Sequence, residues 1–283
     1  MRNSLNKCWY HSTLNLLTNI PILRLKCSNL SENATQFERG LSSSLMAIYK
    51  SQSVEPIDNF FRVVMDFNGV NNRYGQIAVS DFLEHLASKA MNLFRSLKCN
   101  ISTKLQCSTC FWISSTVSTD VLFKLYLPPG HKKSISFADL LDFNSRAALQ
   151  YADAVWCGHC NGKTKQTSVR ETTSDIVLFE VIRVTQKSNN TWSKNTIPIT
   201  FPTRDVLLFG DRKYHVVATC HHKGSIQFGH WFTKLCLNNG TWHTLDDLNP
   251  KHRTSEPPGS IDSTVVILAL IATDKLFNFI NVL

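Results

Sequence analysis

The chain has 283 residues, 30 Lys and Arg against 21 Asp and Glu, a formal net charge of +9, and nine cysteines. A hydrophobic fraction of 43% with 18% charged residues excludes a wholly disordered or polyelectrolyte chain and leaves enough apolar sequence for one large domain or two small ones. The longest apolar run, residues 265–272, falls well short of the roughly 20 residues of a membrane-spanning helix, so no membrane partner is expected.

The N-terminus, Met1-Arg2-Asn3-Ser4, runs straight into mixed polar sequence with no secretory signal. Nine cysteines in that context argue against a disulfide framework. They are expected to serve metal binding or catalysis in a reducing compartment, cytoplasmic or nuclear.

Leu14, Leu17 and Ile20 follow Cys8 at helical spacing, and Pro21 is expected to close that helix. Residues 28–44, rich in Ser, Asn and Gly, read as a loop. So do residues 250–263, which hold Pro250, Pro257, Pro258 and Gly259. Ser80 reads as the N-cap of a helix whose apolar positions are Leu83, Leu86, Ala87, Ala90, Met91 and Phe94. From about residue 100 the pattern turns to short β segments, at 121–127, 176–184, 197–201, 206–209, 215–219 and 231–237. Helices first and strands later predict an α+β fold rather than a doubly wound sheet.

Cys107-Ser-Thr-Cys110 and Cys157-Gly-His-Cys160 are two CxxC pairs, each beside a β segment. Two intervening residues let both thiolates of a pair reach one tetrahedral ion from a tight turn. Two such knuckles predict one structural Zn2+ with four cysteine ligands and no open coordination position. A redox pair would need a βαβ setting, which is absent here. Cys27, Cys99, Cys220 and Cys236 have no partner at ligand spacing and read as packed thiols.

Cys8 sits where the helical pattern begins, and the positive end of a helix dipole favours a thiolate there. A nucleophilic cysteine needs a histidine base and a side chain that orients it. Gly229-His230-Trp231 precedes a β run, and Asp246 follows Trp242-His243-Thr244-Leu245. That spacing fits a hairpin whose adjacent strands bring imidazole and carboxylate together.

These residues resemble the signature of the ubiquitin-specific proteases, papain-like cysteine peptidases. Asn3-Ser-Leu-Asn-Lys-Cys8-Trp-Tyr-His-Ser-Thr-Leu14 is similar to the family's cysteine box, N-x-G-N-T-C-[YF]-[ML]-N-S-x-L. Residues 214–224 with Gly229-His230-Trp231 look like its histidine box, and residues 242–247 like the closing W-x-x-[FL]-D-D. Residues 76–83 resemble its Q-x-D-A-x-E-F-L helix, and residues 107–184 its zinc-binding fingers.

The resemblance implies a single catalytic domain over residues 1–272, with a helical thumb (1–100), β fingers (101–172) and a β palm (173–272), followed by a tail at 273–283. It implies that Cys8 is the nucleophile, His230 the general base and then acid, and Asp246 its orienting partner. Asn3 is the implied oxyanion donor. Asp247 is implied either as a second orienter or water-binding neighbour, or as a solvated acid. The implied substrate is ubiquitin or a ubiquitinated protein, whose Gly-Gly tail would lie between thumb and palm.

Leu5, Lys7 and His11 stand where the cysteine box has Gly, Thr and Asn. Ala78, Val79 and Asp81 stand where the helix motif has Asp, Ala and Glu, and Trp231 replaces Tyr. Lys7 is expected to set a cation beside Cys8 and favour its thiolate. Only two residues precede Asn3, so a trimmed domain or an incomplete gene product is expected.

A SUMO-specific protease on the same fold and an inactive ubiquitin-binding module are the alternatives. A zinc-stabilised nucleic-acid binder ranks below both, because the positive residues are scattered singly. Ubiquitin's tail is cationic, so the cleft is expected to be acidic or polar despite the net charge.

Overall fold

The computed structural model describes residues 7–51, 53–67, 77–128, 133–146, 155–164, 166–172, 174–186, 190–201, 206–208, 212–237, 240–249 and 263–275. The helices come first. They are α1 (Cys8–Thr18), α2 (Pro21–Ser28), α3 (Gln36–Tyr49), α4 (Glu55–Phe67), α5 (Val79–Lys89) and α6 (Met91–Phe94). Every residue of α1 is buried, so this helix is the axis of the helical half. Trp9 and Tyr10 lie within an aromatic cluster with Phe60, Phe61 and Phe82, the Trp9 and Phe82 rings meeting edge to face at 4.9 Å.

Three local expectations are corrected here. Pro21 does not simply end a helix. It opens α2 at the first position, where its missing N–H is no loss. Much of the stretch read as loop is α3, started by a capping box: Glu38 N–H donates to Thr35 Oγ1 at 3.1 Å, and Thr35 N–H donates to Glu38 Oε2 at 3.0 Å. Such a cap stabilises a helix by about 1 kcal/mol. Ser80 lies inside α5, which is capped at Ala78 and ends at Ala90 before α6 begins. Pro250 and most of the second loop lie outside the described residues.

The strands are β1 (Cys99–Cys107), β2 (Ile113–Asp120), β3 (Phe123–Tyr126), β4 (Ile135–Ser136), then α7 (Phe137–Arg146), β5 (Val155–Cys157), β6 (Gly162–Thr164) and β7 (Gln166–Glu171). There follow β8 (Ile176–Ile182), β9 (Val184–Gln186), β10 (Trp192–Lys194), β11 (Ile199–Thr200), β12 (Val206–Leu208), β13 (Arg212–Gly224), β14 (Gly229–Cys236), β15 (Trp242–Leu245) and β16 (Val265–Ala272). This is the expected α+β order.

Among the described residues the main sheet runs β15-β14-β13-β16-β8-β3, with β12 on β13. β3 falls within the stretch expected to form the fingers, yet it pairs in parallel with β8 in this sheet. β16 is the apolar run noted above. It is buried on both faces: Ile267, Ala269 and Ile271 pack into the core shared with the helices, and Leu268, Leu270 and Ala272 into a second core with Phe123, Phe137 and Phe179. That two-sided burial is why it reads as continuous rather than alternating.

The helical half is fastened to the sheet beside the β14 histidine. Asn19, at the end of α1, donates through Nδ2 to Val217 O at 2.6 Å and Cys236 O at 3.2 Å. Thr233 Oγ1 on β14 donates to Ser12 O at 2.9 Å. These bonds set the nucleophile's helix against the histidine's strand. A separate antiparallel sheet, β2-β1-β7, and the β5-β6 hairpin carry the cysteine pairs.

Candidate active site

Cys8 opens α1, where backbone N–H groups of the first turn have no helical acceptor and the dipole is positive. Its side chain is buried. His230 is the second residue of β14; its ring hydrogen-bonds to Asp246 and interacts with the Cys8 side chain. The His230 Nε2 to Asp246 Oδ1 distance is 2.7 Å. A carboxylate only accepts, so Nε2 carries the hydrogen and Nδ1 is the ring nitrogen left for the thiol. Asp246 is placed by the β14-β15 pairing, Thr233 opposite Leu245, as the spacing predicted, and is held by Leu248 N–H at 2.9 Å.

Burial alone would lower the His230 pKa. The interactions with Cys8 and Asp246, with their charges, outweigh it and raise the pKa from 6.5 to about 9. The ring is therefore an imidazolium near neutral pH.

Asp247 is not a solvated acid. Its side chain is 5% exposed, and Oδ2 accepts from His11 Nδ1 at 2.8 Å. The Lys7 side chain is engaged by another helix. Its ammonium pairs with Asp58 of α4 at 3.0 Å and lies 4.4 Å from the Phe61 ring centre. Asn3 and Leu5 lie outside the described residues.

The hairpin that delivers His230 turns through residues 225–228 between two glycines. Gly224 has φ +131°, and a Cβ on Gly229 would sit on His222 Nε2. Lys194 of β10 fastens the hairpin base, donating to His222 O at 2.9 Å, to Gly224 O at 2.8 Å and to His222 Nδ1 at 2.9 Å. Burial foremost, then the Lys194 and His230 charges, lowers the His222 pKa from 6.5 to about 4. The unfolded chain therefore binds this proton first as pH falls, and stability declines from about pH 6.5 down to 4. Urea melts across that window are expected to show a shallower decline in His222→Gln than in the parent; identical slopes would assign the acid sensitivity elsewhere.

A cleft of about 320 Å³ runs between α5, the end of β8 and this hairpin. Asp81, Glu180, Lys194, His222, Ile226 and Trp231 are among its lining residues. The cations on its wall point into the protein: Arg183 donates to Val265 O, Asn195 O and Ile197 O, and Lys194 to the hairpin. Asp81 and Glu180 are the acids it offers, both with pKa raised by burial.

Far from this cleft, Cys107, Cys110, Cys157 and Cys160 bring their sulfurs within 4.8 Å of one another. The Cys110–Cys157 and Cys107–Cys160 separations are 3.8 and 4.0 Å. Metal–sulfur bonds of about 2.3 Å place tetrahedral sulfurs about 3.8 Å apart, so the donor set fits a zinc site. Thr109 and Cys110 N–H groups donate to Cys107 Sγ at 3.4 and 3.5 Å, which favours the thiolate. Trp112 stacks on His159 across the two knuckles at 5.8 Å. Cys27, Cys99, Cys220 and Cys236 are buried, as expected of packed thiols.

The geometry unites a thiol, an imidazole and a carboxylate from opposite ends of the chain, the arrangement of a cysteine hydrolase. A model of the family described as ubiquitin carboxyl-terminal hydrolase matches residues 1–268, and the chain belongs to that family. Ubiquitin carboxyl-terminal hydrolase 21 of Homo sapiens is 27% identical over 180 residues, 59% of this chain and 31% of the relative. Ubiquitin carboxyl-terminal hydrolase 11 of Schizosaccharomyces pombe is 24% identical over 161 residues, 54% of this chain and 45% of the relative. The chain thus spans about a third of the length of the mammalian relatives it matches.

In fold it is similar to the SAGA DUB module bound to monoubiquitin, with a TM-score of 0.80 at 16% identity over 96% of this chain and 68% of that one. The ubiquitin aldehyde complex of the same module gives a TM-score of 0.77 at 15% identity, over 96% of this chain and 69% of that one.

The sequence motifs missed the roles of His11, Lys194 and Glu180. His11 was visible only as a departure from the box, although its position three after Cys8 puts both on one helix face.

Proposed function

We propose that this chain is a cysteine-type deubiquitinase that hydrolyses the peptide or isopeptide bond after the C-terminal Gly of ubiquitin. The observation that carries the reading is His230 hydrogen-bonded to Asp246 and interacting with Cys8 at the family's motif positions. The thiolate of Cys8 attacks the glycyl carbonyl carbon. The resulting oxyanion meets N–H groups at the start of α1, and the family's cysteine box assigns Asn3 as a further donor. His230, already an imidazolium, gives its proton to the leaving amine as the C–N bond breaks and a thioester forms. Neutral His230 then takes a proton from water, whose oxygen attacks the thioester. The acid product leaves, the thiolate is restored, and Asp246 steadies each charged state of the ring.

The cleft beside this site suits a cationic extended tail, since its two carboxylates face inward and its cations are engaged by backbone carbonyls. The net charge of +9 then belongs to the outer surface. The four-cysteine cluster is proposed to hold one structural Zn2+, which clamps the two knuckles and takes no part in the reaction. Nine cysteines with no disulfide among them suit a reducing compartment, cytoplasmic or nuclear. Among the described residues no helix is long and apolar enough to cross a membrane.

The test is a ubiquitin bearing a C-terminal electrophile, run beside a SUMO probe. A ubiquitin adduct mapped to Cys8 by peptide mass is expected. No adduct on the folded protein would reject the enzymatic reading, and reaction with the SUMO probe alone would replace the modifier.

A further inference from the structure

We propose that His11 is a positioning residue, which clamps Asp247 as a second carboxylate behind the His230 ring. The inference rests on the Cys8–His230 reading above. His11 is buried on α1, one turn after Cys8, and its Nδ1 lies 2.8 Å from Asp247 Oδ2. Because a carboxylate only accepts, Nδ1 is the donor. The other oxygen, Asp247 Oδ1, is buried and has no hydrogen-bond partner, and it lies 3.8 Å from His230 Nε2. A buried carboxylate oxygen left unsatisfied is costly unless a nearby positive charge compensates it. The imidazolium of His230 is that charge.

Two adjacent carboxylates thus divide the work. Asp246 accepts the Nε2 hydrogen directly at 2.7 Å, and Asp247 adds its charge from just beyond hydrogen-bond distance. Asp247 needs a tether, because two carboxylates beside one ring repel each other and this one is otherwise drawn toward water. His11 provides it from the nucleophile's own helix, so that thiol and second carboxylate are set in register by one rigid element. The amide of an asparagine, the residue the cysteine box has here, places a donor near the same point. The tether therefore requires a donor, and not the imidazole as such.

The titratable groups facing His230 are Cys8 on α1, Asp246 and Asp247 after β15, and His222 on β13. The experiment is an NMR pH titration of the ¹⁵N-histidine-labelled full chain, with the His230 signals assigned by their loss in His230→Gln. It needs no ubiquitin, so it stands if the modifier or the activity proves different. Asp247→Asn is expected to lower the His230 midpoint by about one pH unit, the scale of one partly screened charge at that distance. His11→Leu is expected to lower it by at least half as much, His11→Asn to restore it, and His11→Leu to add nothing in the Asp247→Asn background.

A His11→Leu midpoint equal to the parent's, or an equal drop in the Asp247→Asn background, would overturn the proposal. If His11→Leu does not fold, His11→Ser takes its place, judged by the same two comparisons. A chain that fails with the ubiquitin probe yet shows these shifts would lose its proposed substrate and keep its tether.

Discussion

Replacing His230 with alanine is expected to lower hydrolysis of a ubiquitin C-terminal amide by about 10⁴-fold or more. The large loss follows from the ring's two roles, protonating the leaving amine and deprotonating water, neither of which another described side chain near Cys8 is placed to perform. A limited loss of stability is expected too, because Asp247 Oδ1 loses the charge beside it. The ring is 20% exposed, and Asp246 keeps the Leu248 N–H when the imidazole is gone. The parent's rate is expected to fall above about pH 9, as His230 loses the proton it must donate.

The sign for stability runs the same way. A histidine whose folded pKa is raised stabilises the fold fully below the unfolded value near 6.5, and this is lost as pH rises through about 9. Asp246→Asn removes one hydrogen bond and one charge from the ring, so the alkaline limb should move to lower pH. Retention of more than about one percent of the rate in His230→Ala would place the acid and base elsewhere.

What was legible in the sequence was what depends on short spacing. The CxxC pairs stood out because a two-residue turn fits one ion, whereas Cys8, His230 and Asp246 fit a helix start and a β hairpin but took their roles from the resemblance to the family's boxes. Where local signals competed, reading went wrong: Ser and Gly in residues 28–44 outweighed the Thr35–Glu38 capping box that starts α3. Pro21 is compatible with a helix end and a helix start, and only α2's burial against the core decides. β1 and β2 lack a clean apolar alternation because their sheet is largely exposed, so nothing in their pattern announces them.

Tertiary partners were the least legible. Lys7 reads as a cation beside a thiol until α4 brings Asp58 to it. His11 reads as a lost asparagine until Asp247, 236 positions away, arrives. Both are pairings between elements, and no spacing within an element encodes them.

The second large effect is expected from the four-cysteine site, on the proposal that it holds zinc. A strong chelator, or Cys110→Ser, is expected to melt the β2-β1-β7 sheet while the helices and the main sheet persist. The reason lies in where the apolar residues are. In β1 only Cys99, Ile101 and Cys107 are buried, and β2 has no buried residue at all. Backbone pairing of a ribbon this exposed is marginal in water, whereas a four-thiolate zinc contributes about 10–16 kcal/mol, as much as the whole stability of a typical domain.

The two cores behind the main sheet and α1 include none of the four clustered cysteines, and β1 enters the second of them through Cys99 and Ile101. The expected readout is one zinc released per chain, with amide exchange protection lost in residues 102–120 and kept in α1 and β13. Hydrolysis of a small ester at Cys8 should survive, because α1 and β14 pack in the core they share and not on the four cysteines. A chain that carries no zinc and keeps its finger protection in chelator would show that the four thiols are packed and not ligating.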